Sequence, residues 1–214
     1  MKEDVLEQLV DDYLQAKGYF TIHNVKFKPR KDHPDFISKK DSNYSDIDVV
    51  GFNPLEKDPN RVWVLSCKSW QSGLKIKSKL TDIEKNRIRS GRESWKGFRE
   101  LKKSKWSEAL MDQIYKITGT RKFTYFTAVT LVKGSDGERA LWENNEQFKK
   151  ALSGNPIKLL SLSEMLDELV PGITRTQASS QLGRTLQVIK ASGWESTKTA
   201  RKKVVAKRSS NRAT

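Results

Sequence analysis

Residues 45–70, SDIDVVGFNPLEKDPNRVWVLSCKSW, decide how this chain is read. Two apolar runs, 47–52 and 62–65, flank a polar segment with prolines and an asparagine, the pattern of a strand, a turn and a second strand. Asp46 and Asp48 stand two residues apart and so share one face of the first strand; Ser66 and Lys68 share one face of the second. Pairing the strands brings these polar side chains to one place. Carboxylates beside a lysine at the ends of hydrophobic strands suggest a hydrolytic magnesium site. Asp48 is the telling residue, because it sits between Ile47 and Val49, where an ionised carboxylate is tolerated only if it binds a cation or accepts strong hydrogen bonds. Lys68 poses the same puzzle at the end of VWVLSCKSW, and a structural ion pair between the two is the competing explanation.

Outward from this pair, residues 3–17 place Val5, Leu6, Leu9, Val10, Tyr13 and Leu14 at helical spacing before Gly18. Residues 19–27, YFTIHNVKF, alternate as a half-buried strand, and 28–44 are polar and broken by Pro29 and Pro34, so they read as a loop. After Gly73 comes a basic region to 121 interleaved with Leu80, Ile83, Trp95, Phe98, Leu101, Trp106, Leu110 and Ile114, the spacing of two or more amphipathic helices. KFTYFTAVTLV at 122–132 predicts a strand buried on both faces. A short helix over 144–152, a strand over 157–160 and a helix over 163–169 capped by Ser161 or Ser163 follow, with Pro171 and Gly172 interrupting that helix. A last helix is expected over 176–191, packed through Leu182, Leu186 and Ile189. The alternation predicts an α/β (α+β) fold, a mixed central sheet flanked by helices, as a single domain over 1–195 with a basic helical insertion at about 73–121. Residues 196–214 carry many lysines and arginines and no acid, and read as a disordered basic tail.

The chain has 214 residues and 36% hydrophobic content, enough for a core. With 41 Lys+Arg against 26 Asp+Glu its formal net charge is +15, which attracts polyanions, nucleic acid first among them. No apolar run approaches the roughly 20 residues of a membrane-spanning helix, and MKEDVLEQL is too acidic for a signal peptide, so a cytoplasmic location is expected. One cysteine forms no intrachain disulfide, and two histidines are too few for a zinc cluster of the usual spacing. Cys67 points to the strand face opposite Ser66 and Lys68 and reads as core.

Four pieces in order carry a family resemblance. EQLVDDYLQAKGYF, TIHNVKF, SDIDVVGF and VWVLSCKSW resemble the PD-(D/E)XK nuclease superfamily, the restriction-endonuclease-like fold that includes archaeal Holliday-junction resolvases and Mrr-type restriction enzymes. The resemblance spans 7–68 and puts the family's helix glutamate on Glu7, its aspartate on Asp48 and its lysine on Lys68. It departs at one position: where an acid is expected two residues before the lysine, this chain has Ser66. A serine offers a neutral oxygen but no carboxylate charge; some Mrr-like relatives carry glutamine there. Asp46 is a replacement metal ligand on the same strand face. The literal Pro34-Asp35 pair sits in the polar loop with no apolar strand after it.

The resemblance implies a metal-dependent endonuclease, acting on DNA by preference over RNA, with Mg²⁺ as cofactor and Mn²⁺ as its substitute. Asp48, Glu7 and Asp46 are the expected metal ligands, and Asp48, Lys68, Ser66 and Glu7 the catalytic set. Lys96, Arg99, Lys102, Lys103 and Lys105, with Gln71 after the site strand, are the expected nucleic-acid contacts, against the blander reading of a solvated helix face. Family analogy implies a homodimer. A binding protein that keeps the fold and the basic surface without cleavage is the alternative, motivated by Ser66.

Overall fold

The computed structural model describes residues 4–193 apart from 175, 177 and 179, so the tail expected over 196–214 lies outside the described residues. The chain divides into two compact units, Met1–Leu166 and Asp167–Thr214, where the sequence suggests one domain to 195.

The first unit is built on a mixed five-stranded sheet flanked by helices, as expected. Helix α1 (Val5–Ala16) starts at Asp4, whose carboxylate accepts the Leu6 N–H at 2.8 Å, and gives way to Gly18 at φ 83°. It buries Leu6, Leu9, Val10, Tyr13 and Leu14 against the sheet. Strand β1 (Phe20–Phe27) pairs antiparallel with β2 (Ser45–Phe52), after a loop that holds the short helix α2 (Ser38–Asp41). Strand β3 (Val62–Lys68) pairs antiparallel with β2, and the register Val49↔Leu65 to Phe52↔Val62 is the hairpin read from the sequence.

The segment after Gly73 is more varied than a run of helices. A two-residue strand β4 (Leu74–Lys75) leads into α3 (Ile76–Glu84). A small hairpin of β5 (Ile88–Arg89) and β6 (Arg92–Glu93) follows, then a 3₁₀ turn (Ser94–Gly97), α4 (Arg99–Lys102) and α5 (Ser104–Thr118). The hairpin turns on Ser90 and Gly91, with φ 49° and 73°. Two positive φ values in succession match the twist of a two-residue hairpin.

Strand β7 (Thr124–Val129) is buried at all six positions, parallel to β3 on one side and to β9 (Ile157–Ser161) on the other. The apolar run does not continue as one strand to 132. It breaks, and β8 (Val132–Lys133) pairs with β4 instead. Between β8 and β9 lie α6 (Asp136–Glu143), which the sequence reading passed over, and α7 (Glu146–Ala151). The core on this side of the sheet is aromatic: Phe98, Trp142 and Phe148 stack edge to face with ring centroids 5.2 Å apart, and all are buried.

Helix α8 (Leu162–Gly172) begins in a capping box. The Ser161 Oγ accepts the Glu164 N–H at 3.3 Å, and Glu164 Oε2 accepts the Ser161 N–H at 2.7 Å. Pro171 and Gly172 are its last two residues, so the helix stops at the expected breakers after running a little past 169. In the second unit, α9 (Gln181–Ala191) is capped by Ser180 and is five residues shorter at its start than the stripe suggested; Leu186 is buried while Ile189 is exposed.

Candidate active site

The site forms where β2 and β3 part. Their ladder is paired from Val49↔Leu65 outward and stops there, so the next residues, Asp48 and Ser66, make no ladder pair. The Asp48 carboxylate fills the gap, with Oδ2 accepting the Cys67 N–H at 2.5 Å. This explains a charged residue inside an apolar run: its carboxylate replaces a missing backbone acceptor. Lys68 turns to its own strand, donating from Nζ to Ser66 Oγ at 2.7 Å. Among the described residues no ion pair joins Lys68 to Asp48, so the structural-pair explanation is not the one the geometry adopts.

Asp46, Asp48, Ser66 and Lys68 line one cleft of about 450 Å³, as the strand faces predicted. Lys79, Arg89, Arg92, Lys96 and Trp70 line it as well. Two ion pairs steady this basic rim: Arg89 holds the buried Asp82 at 2.9 Å, tying the hairpin to α3, and Lys96 holds Glu93 at 3.0 Å. Glu100, the buried acid of α4, lines the cleft too. The Tyr125 hydroxyl of β7 donates to its Oε1.

Glu7 is placed differently. It lies on the first turn of α1, whose capping residue Asp4 accepts the Ser69 hydroxyl at 2.5 Å and so fixes the helix start beside the end of β3. Its side chain is not among those lining the cleft. Burial first, then the charges of Asp48, Asp4 and Asp46, push its carboxyl above the usual value, and His23 pulls it down only in part. The Asp48 carboxyl is also pushed up, by burial that outweighs the pull of Lys68 and the Cys67 amide. Glu100 is raised by burial against the pull of Lys68 and the Tyr125 hydroxyl. Cys67 is buried and burial pushes its thiol far up, so it is core, as its strand face indicated.

The expected nucleic-acid contacts separate into groups. Lys96 lies on the wall of this cleft and also of a neighbouring one of about 1080 Å³, which Arg99 and Lys103 line with Lys39, Lys40, Arg92 and Trp95. Arg99 lies over the Trp106 ring and Lys103 over the Trp95 ring, at 4.9 and 5.2 Å from the centroids. Lys105 is buried, its Nζ held by Asp41 at 2.6 Å and by the Asp35 carbonyl at 2.9 Å, so it fastens the 28–44 loop to α5. Lys102 reaches Gln147 at 3.3 Å, and Gln71 is exposed beyond the cleft lining.

The donors facing the cleft are oxygens, the kind a magnesium ion takes. Among the described residues no group of three or more His, Cys, Asp or Glu side chains is arranged to hold a metal. Magnesium needs only one or two carboxylates beside water and substrate phosphate, and Asp48 with Asp46 meets that requirement in kind. Glu100, Arg89, Arg92 and Lys79 are cleft residues that the sequence reading did not select. RSGR at 89–92 carried a turn signal for the hairpin, and Glu100 was a lone acid between buried Phe98 and Leu101 in a basic run. Comparisons of the chain with family models, curated proteins and solved structures return no match.

Proposed function

We propose that the chain is a metal-dependent endonuclease of the PD-(D/E)XK type that hydrolyses phosphodiester bonds, in DNA by preference. One observation carries this reading: Asp46, Asp48, Ser66 and Lys68, placed together by their strand faces, share a cleft whose rim is basic. A strand-end carboxylate, a lysine and a ring of cations are what a reacting phosphate requires. Asp48, with Asp46 or Glu7 as its partner, would hold Mg²⁺ or Mn²⁺; the bound ion supplies charge stabilisation at the phosphate and a more acidic water. Lys68, restrained by Ser66, orients the attacking water and takes part in its deprotonation. Arg92 and Lys96 hold the substrate phosphates beside the scissile one. A homodimer and a cytoplasmic setting belong to the same reading. Among the described residues no helix is long and apolar enough to cross a membrane.

A second reading, a nucleic-acid-binding protein on the same fold without cleavage, is favoured by Ser66 at the position where the family pattern has an acid. One assay separates the two. Plasmid, branched and single-stranded DNA are incubated with the protein in Mg²⁺ or Mn²⁺, beside Asp48→Ala and Lys68→Ala. The enzyme reading expects cleavage by the wild type and loss of cleavage with retained binding in both variants. Binding without cleavage under every condition replaces it with the second reading.

A further inference from the structure

We propose that Glu100 contributes from α4 the carboxylate that β3 lacks at Ser66, as a ligand for the divalent cation of this site. The inference rests on the endonuclease reading above. A solitary acid in the run FRELKK has several cations within a helical turn, and on a surface it would pair with them. Glu100 does not: its side chain is 4% exposed and faces the cleft shared by Asp48, Ser66 and Lys68. The cleft's ion pairs, Arg89–Asp82 and Lys96–Glu93, leave it out.

What holds it there is Tyr125. This residue sits opposite Val64 on β7, two positions before the Ser66↔Thr127 pair and on the same sheet face, and its hydroxyl donates to Glu100 Oε1 while lying within reach of Ser66. Tyr125 thus holds the Glu100 carboxyl in the cleft that Ser66 also lines. An acid at 66 would point into this same space, where the buried Tyr125 and Glu100 side chains now lie. A glutamine at 100 would accept the same hydrogen bond without the cost of burying a charge. Lys68 offsets part of that charge, and the carboxylate and hydroxyl oxygens of Asp46, Asp48, Ser66 and Glu100 among the cleft's lining residues are the donors a hard divalent ion takes.

The test is titration calorimetry of the full chain with Mn²⁺ alone, without nucleic acid, for wild type, Asp48→Asn, Glu100→Gln, and Glu100→Gln combined with Ser66→Asp. Glu100→Gln keeps the acceptor for Tyr125, and thermal unfolding of each variant checks that the fold is retained. The expected result is Mn²⁺ binding by the wild type, its loss in Asp48→Asn, and weakening in Glu100→Gln by no less than the roughly 10-fold that loss of a supporting group costs a metal site. Recovery in the Ser66→Asp combination would show that the site needs a carboxylate, from either element. Wild-type affinity in Glu100→Gln alongside loss in Asp48→Asn overturns the proposal and leaves the endonuclease reading standing. Absence of Mn²⁺ binding by the wild type overturns both.

Discussion

Asp48 concentrates the argument at the level of single residues. Its carboxylate does the work of a backbone acceptor for Cys67 while facing a cleft, so one side chain both closes the sheet and equips the site. The arrangement costs stability. Burial raises the Asp48 carboxyl despite Lys68 and the Cys67 amide, so the folded protein binds this proton more tightly than the unfolded chain does. The stability from that proton is fully present below the unfolded value of about 3.9 and is lost as the pH rises through the higher folded value. In the absence of divalent cations, Asp48→Asn therefore melts near the wild type at pH 4 and above it at pH 8, by about 2–4 °C for each kcal/mol recovered. Circular dichroism melts at pH 4, 6 and 8 decide this; a variant less stable at every pH would show that the charge supports the fold.

At the level of elements, two local features set how neighbouring segments pack. In β1 the apolar residues change parity, Phe20 and Ile22 before Asn24 but Val25 and Phe27 after it. Phe20 and Ile22 line a small cleft with Ile117, and Phe27 packs edge-on to Trp106, so both sets meet α5. Asn24 allows this by adopting φ 51°, which Asn tolerates and β-branched residues do not. In the register it falls opposite Asp48, between His23↔Val49 and Val25↔Ile47. Asn24→Val should cost about 1–2 kcal/mol in urea unfolding and Asn24→Gly far less; equal effects would remove the strain argument. The second feature is the β5–β6 hairpin, held to α3 by Asp82. The Arg89 hydrogen bonds keep the Asp82 carboxyl below the usual range, so this anchor is present above about pH 3.9 and fails as the pH falls through the lower folded value. Asp82→Asn at neutral pH should speed amide exchange across 88–93, read by hydrogen-exchange mass spectrometry, and exchange as slow as wild type would mean the turn alone holds the hairpin.

Over the whole molecule the charge is large but locally organised. The formal +15 is spread along the sequence, yet Lys39, Lys40, Arg92, Lys96, Arg99 and Lys103 meet around one cleft that adjoins the candidate site, while Lys105 is consumed by Asp41. Binding to a DNA duplex should weaken steeply with salt, by about 0.9 in log–log slope for each phosphate neutralised. Replacing Lys96, Arg99 and Lys103 together by alanine should reduce the slope by roughly 2–3, whereas Lys102→Ala should leave it nearly unchanged. Fluorescence anisotropy between low and moderate salt measures both, and a salt-independent affinity would exclude phosphate contact.

The local signals in the sequence were sufficient for the elements that carry their own pattern. The first helix, the hairpin of residues 45–70, the buried β7 and the shared face of Asp46, Asp48, Ser66 and Lys68 follow from periodicity, because a strand or helix with one buried face must repeat its apolar residues. The parity change at Asn24 was also written there, though its meaning depends on what lies across the sheet. Tertiary structure alone decided the rest. Whether Lys68 pairs with Asp48 or with Ser66 depends on where two strands diverge, and whether a lysine is free or buried depends on a loop seventy residues away, as Lys105 and Asp35 show. Glu100 reached the cleft by the same route: no spacing connects it to Asp48, and only tertiary packing places it on the lining that Ser66 shares, with its carboxylate held by the Tyr125 hydroxyl.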